Sequence, residues 1–191
     1  MVMSRRRNVK KENIHKNNKL KIGIVVIFLF IIVIIGGIYI STMSQESSPT
    51  GKLWGDAPDF TLKTIEGNDF TLSEHIGKVI VLDFMTSWCG WCVPQMGELE
   101  KVLKEMGNEI IIVSVDVQIG ETRDDLEVVF GDYLDKWTFV LDDYKQNVGT
   151  KYQVSSIPKL VIIDKEGNIY YSDSGLTQSE NLIKEINRAN K

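Results

Sequence analysis

The chain has 191 residues, 43% of them hydrophobic, and a formal net charge of −4, which is room for one ordinary domain and an appendage. The charge is unevenly divided: positions 1–21 hold eight Lys or Arg and the single acid Glu12, so totals of 22 basic and 26 acidic residues leave 14 and 25 for the remainder, a formal charge of −11. A remainder this acidic argues against nucleic acid or anionic lipid as its partner.

Residues 1–21 read as a basic tail, and residues 22–40 run from Ile22 to Ile40 without one charged side chain. At about 1.5 Å per residue that run makes about 28 Å of helix, the hydrocarbon thickness of a bilayer. A buried helix of a soluble domain would need a polar face, and this run has none. The basic flank keeps the N-terminus in the cytoplasm and sends the rest outside, giving a single-pass transmembrane helix in the cell membrane. The run exceeds a usual signal-peptide core, and Gly36-Gly37-Ile38-Tyr39-Ile40 lacks a small-x-small cleavage site, so an uncleaved anchor is expected. An extracytoplasmic domain can keep disulfides.

Residues 41–52 are a Ser-rich linker, and the folded domain is expected over 53–191. Phe60–Thr64 and Asp69–Leu72 flank a hairpin turn at Ile65-Glu66-Gly67-Asn68. Val79–Met85 is nearly all apolar, as a strand covered on both faces must be. A helix follows from about Cys89 to Met106, with Met96, Leu99, Val102, Leu103 and Met106 at helical spacing. Strands are expected at Glu109–Val115 and Thr138–Leu141, helices at Asp124–Leu134 and Tyr144–Tyr152. Lys159–Ile163 and Ile169–Ser174 bracket a turn, and Ser179–Ala189 closes the chain as a helix with Ser179 as its N-cap. Helices alternating with strands, and an antiparallel pair late, predict an α/β fold with a mixed sheet and helices on both faces.

Trp88-Cys89-Gly90-Trp91-Cys92 contains the only two cysteines. Residues i and i+3 share one face of a helical turn, so the two sulfurs can meet. A purely structural disulfide closing so short a loop restrains little chain entropy. A zinc site needs further ligands, and the only histidines, His15 and His75, lie far off in sequence. No metal is expected, and a redox dithiol is the reading that its surroundings favour.

Three sequence features, taken in order, resemble the membrane-anchored ResA/TlpA-type thiol-disulfide oxidoreductases of the thioredoxin fold. Ala57-Pro58-Asp59-Phe60-Thr61-Leu62 with Gly67 and Gly77-Lys78-Val79 is similar to the added N-terminal β-hairpin of that group, which peroxiredoxins share. Leu82-Asp83-Phe84 leading to Trp88-Cys89 and Cys92 is similar to the thioredoxin active site, and Ile157-Pro158 before a strand to the cis-proline loop. The resemblance implies an enzyme that exchanges the Cys89–Cys92 disulfide with protein thiols and disulfides, using no cofactor beyond that disulfide. It implies a membrane electron donor or acceptor and, by family analogy, reduction of partners such as apocytochrome c during cytochrome c biogenesis. A DsbA-like oxidant is the rival direction.

Cys89, at the helix start, is then the nucleophile and Cys92 the resolving thiol. Asp83 occupies the thioredoxin position for a buried acid; its apolar neighbours should raise its pKa and let it take the Cys92 proton. Members of the ResA/TlpA group often lack that acid. Trp88, Trp91, Ile157 and Pro158 are the expected substrate-binding residues, with a cis bond before Pro158. Gly90-Trp91 matches none of the common intervening pairs. Lys159, if it faces the sulfur, would lower the Cys89 pKa, and Pro94 is tolerated in the first helical turns. A peroxidase reading has Thr86 three residues before Cys89 in its favour and Leu82, where a proline would be needed, against it. A copper-delivery reading lacks a histidine after His75.

Overall fold

The computed structural model describes residues 56–191. The basic tail, the apolar run and the linker expected at 1–21, 22–40 and 41–52 lie outside the described residues. Among the described residues no helix is long and apolar enough to cross a membrane.

Seven strands, β1 (Thr61–Thr64), β2 (Asp69–Thr71), β3 (Val79–Met85), β4 (Ile110–Asp116), β5 (Thr138–Leu141), β6 (Lys159–Ile163) and β7 (Ile169–Ser174), form one sheet in the order β2-β1-β5-β4-β3-β6-β7. β3, β4 and β5 run parallel, while β1 and β2 pair antiparallel on one flank and β6 and β7 on the other. This is the thioredoxin-like mixed sheet. Every residue of β3 is buried. Its side chains alternate between two core layers, Val79, Val81 and Met85 to one, Ile80, Leu82 and Phe84 to the other.

Among the described residues the α-helices are α1 (Cys92–Met106), α2 (Arg123–Phe130), α3 (Val148–Lys151) and α4 (Ser179–Ala189). They lie on both faces of the sheet, as expected, three on one face and the one-turn α3 on the other. Met96 and Leu99 of α1, Leu126 and Phe130 of α2, and Leu182 and Ile186 of α4 all enter the Val79–Val81 layer. The opposite layer is closed by Phe60, Leu62, Phe70 and Leu72 from the N-terminal segment, with Val148 of the one-turn α3 and Tyr152. Asp83 is odd-numbered on β3 and so shares the face of α1, which is what brings it to the cysteines.

Two helices are shorter than their periodicity predicts, for local reasons. Asp143 Oδ1 accepts the N–H groups of Lys145 and Gln146, and the Asp142 carboxylate those of Val148 and Gly149. These side chains take the donors a longer helix would need and hold 143–147 in turns. After Phe130 the chain tightens, Tyr133 N–H reaching Phe130 O and Lys136 N–H reaching Tyr133 O, so Asp124–Leu134 is not one helix. Gln178, not Ser179, is the N-cap of α4. Ser179 is already helical because its N–H is taken by Glu98 Oε2 of α1 at 2.8 Å, a cap supplied from another helix.

Candidate active site

β3 ends at Met85 and the chain turns through Ser87 and Trp88 into the cysteine segment. Cys89 N–H donates to Thr86 O at 3.2 Å and Cys92 N–H to Cys89 O at 3.1 Å, so Cys89 sits in a turn ahead of the helix. α1 starts at Cys92, three residues later than the expected start. The two cysteines are joined, Sγ to Sγ at 2.08 Å with Cα atoms 5.3 Å apart. They differ in access: Cys89 keeps 6% of its surface exposed and Cys92 none. Trp91 gives α1 no side-chain cap, and no acid stands in the first turn. Pro94 removes one donor that would lack an intrahelical partner anyway. The remaining free N–H groups keep the positive end of α1 uncompensated beside Cys89, which favours thiolate there once the disulfide opens.

Trp88 and Trp91 flank Cys89 and each is 68% exposed. Two large aromatic rings thus stand in water on either side of Cys89, an exposed apolar surface. The Trp88 side is tied down: its Nε1 donates to Gln118 Oε1 at 3.3 Å, and both the N–H and hydroxyl of Ser87 donate to the Glu121 carboxylate. Gln118 and Glu121, on the loop after β4, therefore set the rim, and the sequence reading did not single them out.

Asp83 lies under this rim with no solvent exposure, between β4 and β6. Burial raises its pKa from 3.8 to about 7, and the Ser114 hydroxyl, donating to Oδ2 at 3.0 Å, opposes part of that rise. Oδ1 is buried without a hydrogen-bond partner. Ser114 is the one hydroxyl within β4, Ile-Ile-Ile-Val-Ser-Val-Asp; that break in an apolar run was the available signal for it.

Asp116 closes β4 on the same face, also buried, with Oδ2 unpartnered. Its pKa rises to about 8, first through burial and then through the nearby Glu121 and Asp142 carboxylates, against the Gln118 N–H that Oδ1 accepts at 3.0 Å. Two protonatable acids thus flank the base of the cysteine loop where the sequence reading had one.

The Ile157–Pro158 bond is cis. Ile157 packs against the layer containing both cysteines, and among the described residues its backbone N–H and C=O have no hydrogen-bond partner. Lys159, the next residue, faces away from the sulfurs. It alternates with Val161 and Ile163 into the opposite layer, where Nζ donates to Tyr152 O at 2.7 Å and Gln153 O at 3.0 Å, and burial lowers its pKa. Its ammonium therefore holds the loop ahead of Pro158 rather than the Cys89 thiolate. Lys159→Met should lower stability in chemical denaturation by about 1–3 kcal/mol, the cost of two stranded carbonyls, while the pH profile of Cys89 alkylation stays put. A shifted profile would mean the ammonium does act on the sulfur. A cavity of about 360 Å³ lined by Tyr152, Lys159, Ser172 and Ser174 opens on that far side, and neither cysteine lines it.

A mixed sheet of this order, carrying a CxxC disulfide where its central strand turns into a helix, defines a thioredoxin-fold protein of the ResA/TlpA type. The chain belongs to the Redoxin family, whose model matches residues 54–187. It is 34% identical over 113 residues to the thioredoxin-like protein YneN of Bacillus subtilis, covering 59% of this chain and 66% of that one. It is 30% identical over 133 residues to the thiol-disulfide oxidoreductase ResA of Geobacillus kaustophilus, covering 68% and 74%. Among solved structures it is similar to a thiol:disulfide interchange protein DsbE from Chlorobium tepidum, with TM-score 0.61, 27% identity and coverage of 75% and 99%.

Proposed function

We propose that this thiol-disulfide oxidoreductase is anchored in the cell membrane by residues 22–40, with its N-terminus cytoplasmic and its thioredoxin-like domain outside, and that it reduces partner proteins. The β1–β2 pair is the added N-terminal hairpin of its group. The observation that carries the exchange reading is the unequal access of a joined pair, Cys89 at the surface and Cys92 sealed beneath it.

In the reduced enzyme, the Cys89 thiolate attacks a partner disulfide, forming one S–S bond and releasing the partner's second sulfur as thiolate. Cys92 then gives its proton to Asp83 and attacks Cys89 Sγ. The mixed disulfide breaks, the partner leaves reduced, and the Cys89–Cys92 disulfide forms; two electrons have passed to the partner. Trp88, Trp91, Ile157 and Pro158 receive the partner as an extended segment, the free backbone of Ile157 pairing with it. A membrane electron donor returns the disulfide to the dithiol. An apocytochrome c awaiting haem attachment is the substrate that similarity to ResA and DsbE suggests.

The potential of the Cys89–Cys92 couple tests the direction. Equilibration with glutathione and thioredoxin buffers should place it near thioredoxin, about −270 mV, and a value near the roughly −120 mV of DsbA would reverse the reading to an oxidant. Labelling intact cells with a membrane-impermeant thiol reagent after mild reduction tests the location: Cys89 should react without lysis.

A further inference from the structure

Asp83, Ser114 and Trp137 form a chain of hydrogen bonds with only one workable direction. Trp137 Nε1 lies 3.0 Å from Ser114 Oγ, and Ser114 Oγ lies 3.0 Å from Asp83 Oδ2. An indole N–H can only donate. Ser114 must therefore accept from Trp137, and its single proton is left for Asp83. Turned away from Asp83, that proton would find only the thioether of Met96 at 4.0 Å, a feeble acceptor. The indole itself is held in place by Phe139, stacked at 5.7 Å between centroids, and by Tyr133 at 5.7 Å.

We propose that Trp137 and Ser114 act as a one-way hydrogen-bond relay that fixes Asp83 Oδ2 as the atom held by the protein and leaves Oδ1 as the atom that takes and returns the Cys92 proton. The step moves one proton from Cys92 Sγ to Asp83 Oδ1 as the resolving attack begins, and back when the disulfide is next reduced; no electron passes through the relay. The inference rests on the reading of Asp83 as the proton acceptor of Cys92 and assigns Ser114 and Trp137 the part of positioning residues. Because Ser114 is committed as a donor, a proton on Oδ2 would meet the hydroxyl proton head-on. The buried, unpartnered Oδ1 is the vacant seat.

The titratable groups on this side of the sheet are few among the described residues. α1 offers Cys92, which cannot titrate while joined to Cys89; β4 offers Asp116, two residues along on the same face; β7 offers Tyr170 and Tyr171, partly buried against the same layer; β6, α2 and α4 turn only apolar side chains to it, Leu160, Leu126, Phe130, Leu182 and Ile186. Tyr133 and Lys136 lie at the Trp137 end, Lys136 paired with Glu100.

The test is the carboxyl ¹³C titration of Asp83 in the oxidised full-length chain, with Asp116→Asn as background so that the second acid does not overlap. Ser114→Ala should move the Asp83 midpoint up by about one to two pH units, the loss of a donor to a carboxylate. Trp137→Phe should move it up by a few tenths to about one unit, because the freed hydroxyl can then also accept from the neutral acid. With Ser114→Ala already present, Trp137→Phe should move it no further, since the indole acts only through that hydroxyl. If Ser114→Ala does not fold, Ser114→Cys replaces the hydroxyl with a weak donor of near-equal size and reads the same way. An unmoved midpoint in Trp137→Phe, or an equal movement with and without Ser114, overturns the relay. The proton-acceptor role of Asp83 fails separately, if Asp83→Asn leaves the rate of mixed-disulfide resolution unchanged.

Discussion

Cys92→Ser is expected to convert this enzyme into a trap, holding its partners as stable mixed disulfides on Cys89 in non-reducing gels of whole cells. Cys89 keeps its edge of exposed surface and the uncapped positive end of α1 beside it, so the first attack survives the substitution. What is lost is resolution. In the intact enzyme Cys92 is held at 5.3 Å between Cα atoms from Cys89, and a thiol aligned that closely acts at an effective concentration on the order of 10⁵ M or more. No free thiol replaces that. Cys89→Ser should trap nothing, because Cys92 has no exposed surface and cannot meet a partner disulfide. The opposite pattern, with partners held by Cys89→Ser and none by Cys92→Ser, would exchange the roles of nucleophile and resolving thiol. Identifying the captured proteins by mass spectrometry also names the substrate class, and an apocytochrome c among them would fix the pathway.

How far such a site can be read from sequence depends on whether its signal is local. The CxxC spacing and the apolar run of β3 are local, and both led directly to the disulfide and to Asp83 beneath it. The length of α3 escapes the sequence because Asp142 and Asp143 compete for its backbone donors, and that of α2 because the chain tightens into backbone turns after Phe130. The N-cap of α4 was misassigned for a related reason: Glu98, some eighty residues earlier in the chain, supplies the acceptor. Ser114 and Trp137 depend on register, since Ser114 stands beside Asp83 only because β3 and β4 pair in parallel with those two residues opposite each other. Lys159 follows the same logic. Its position next to Pro158 is plain in the sequence, but the parity of β6 sends its ammonium to the far side of the sheet.

Asp83→Asn should make the oxidised protein more stable and the enzyme slower, with the stability effect growing from about pH 4 and complete just above about pH 7. In the folded chain Asp83 holds its proton up to about pH 7, against the ordinary aspartate value of 3.8 that an unfolded chain approximates. Between those values the folded state binds a proton that the unfolded state has released, so stability falls as pH rises. The stabilising contribution is fully present below the unfolded pKa and lost as pH climbs through about 7, beyond which a carboxylate with one hydrogen bond is buried in an apolar layer. A shift of about three units amounts to on the order of 4 kcal/mol. Asn cannot ionise, so its advantage in urea denaturation should be near zero at pH 4 and reach roughly 2–4 kcal/mol at pH 8. Asp116, raised for similar reasons, keeps a slope of the same sign in the variant. The reduced variant should resolve mixed disulfides roughly 10²–10⁴-fold more slowly at neutral pH, having lost its proton acceptor. Gain of stability and loss of rate in one substitution is the mark of an acid buried for chemistry at a cost to the fold. An Asp83→Asn protein no more stable than its parent at pH 8 would show that Asp83 is not held protonated by its burial.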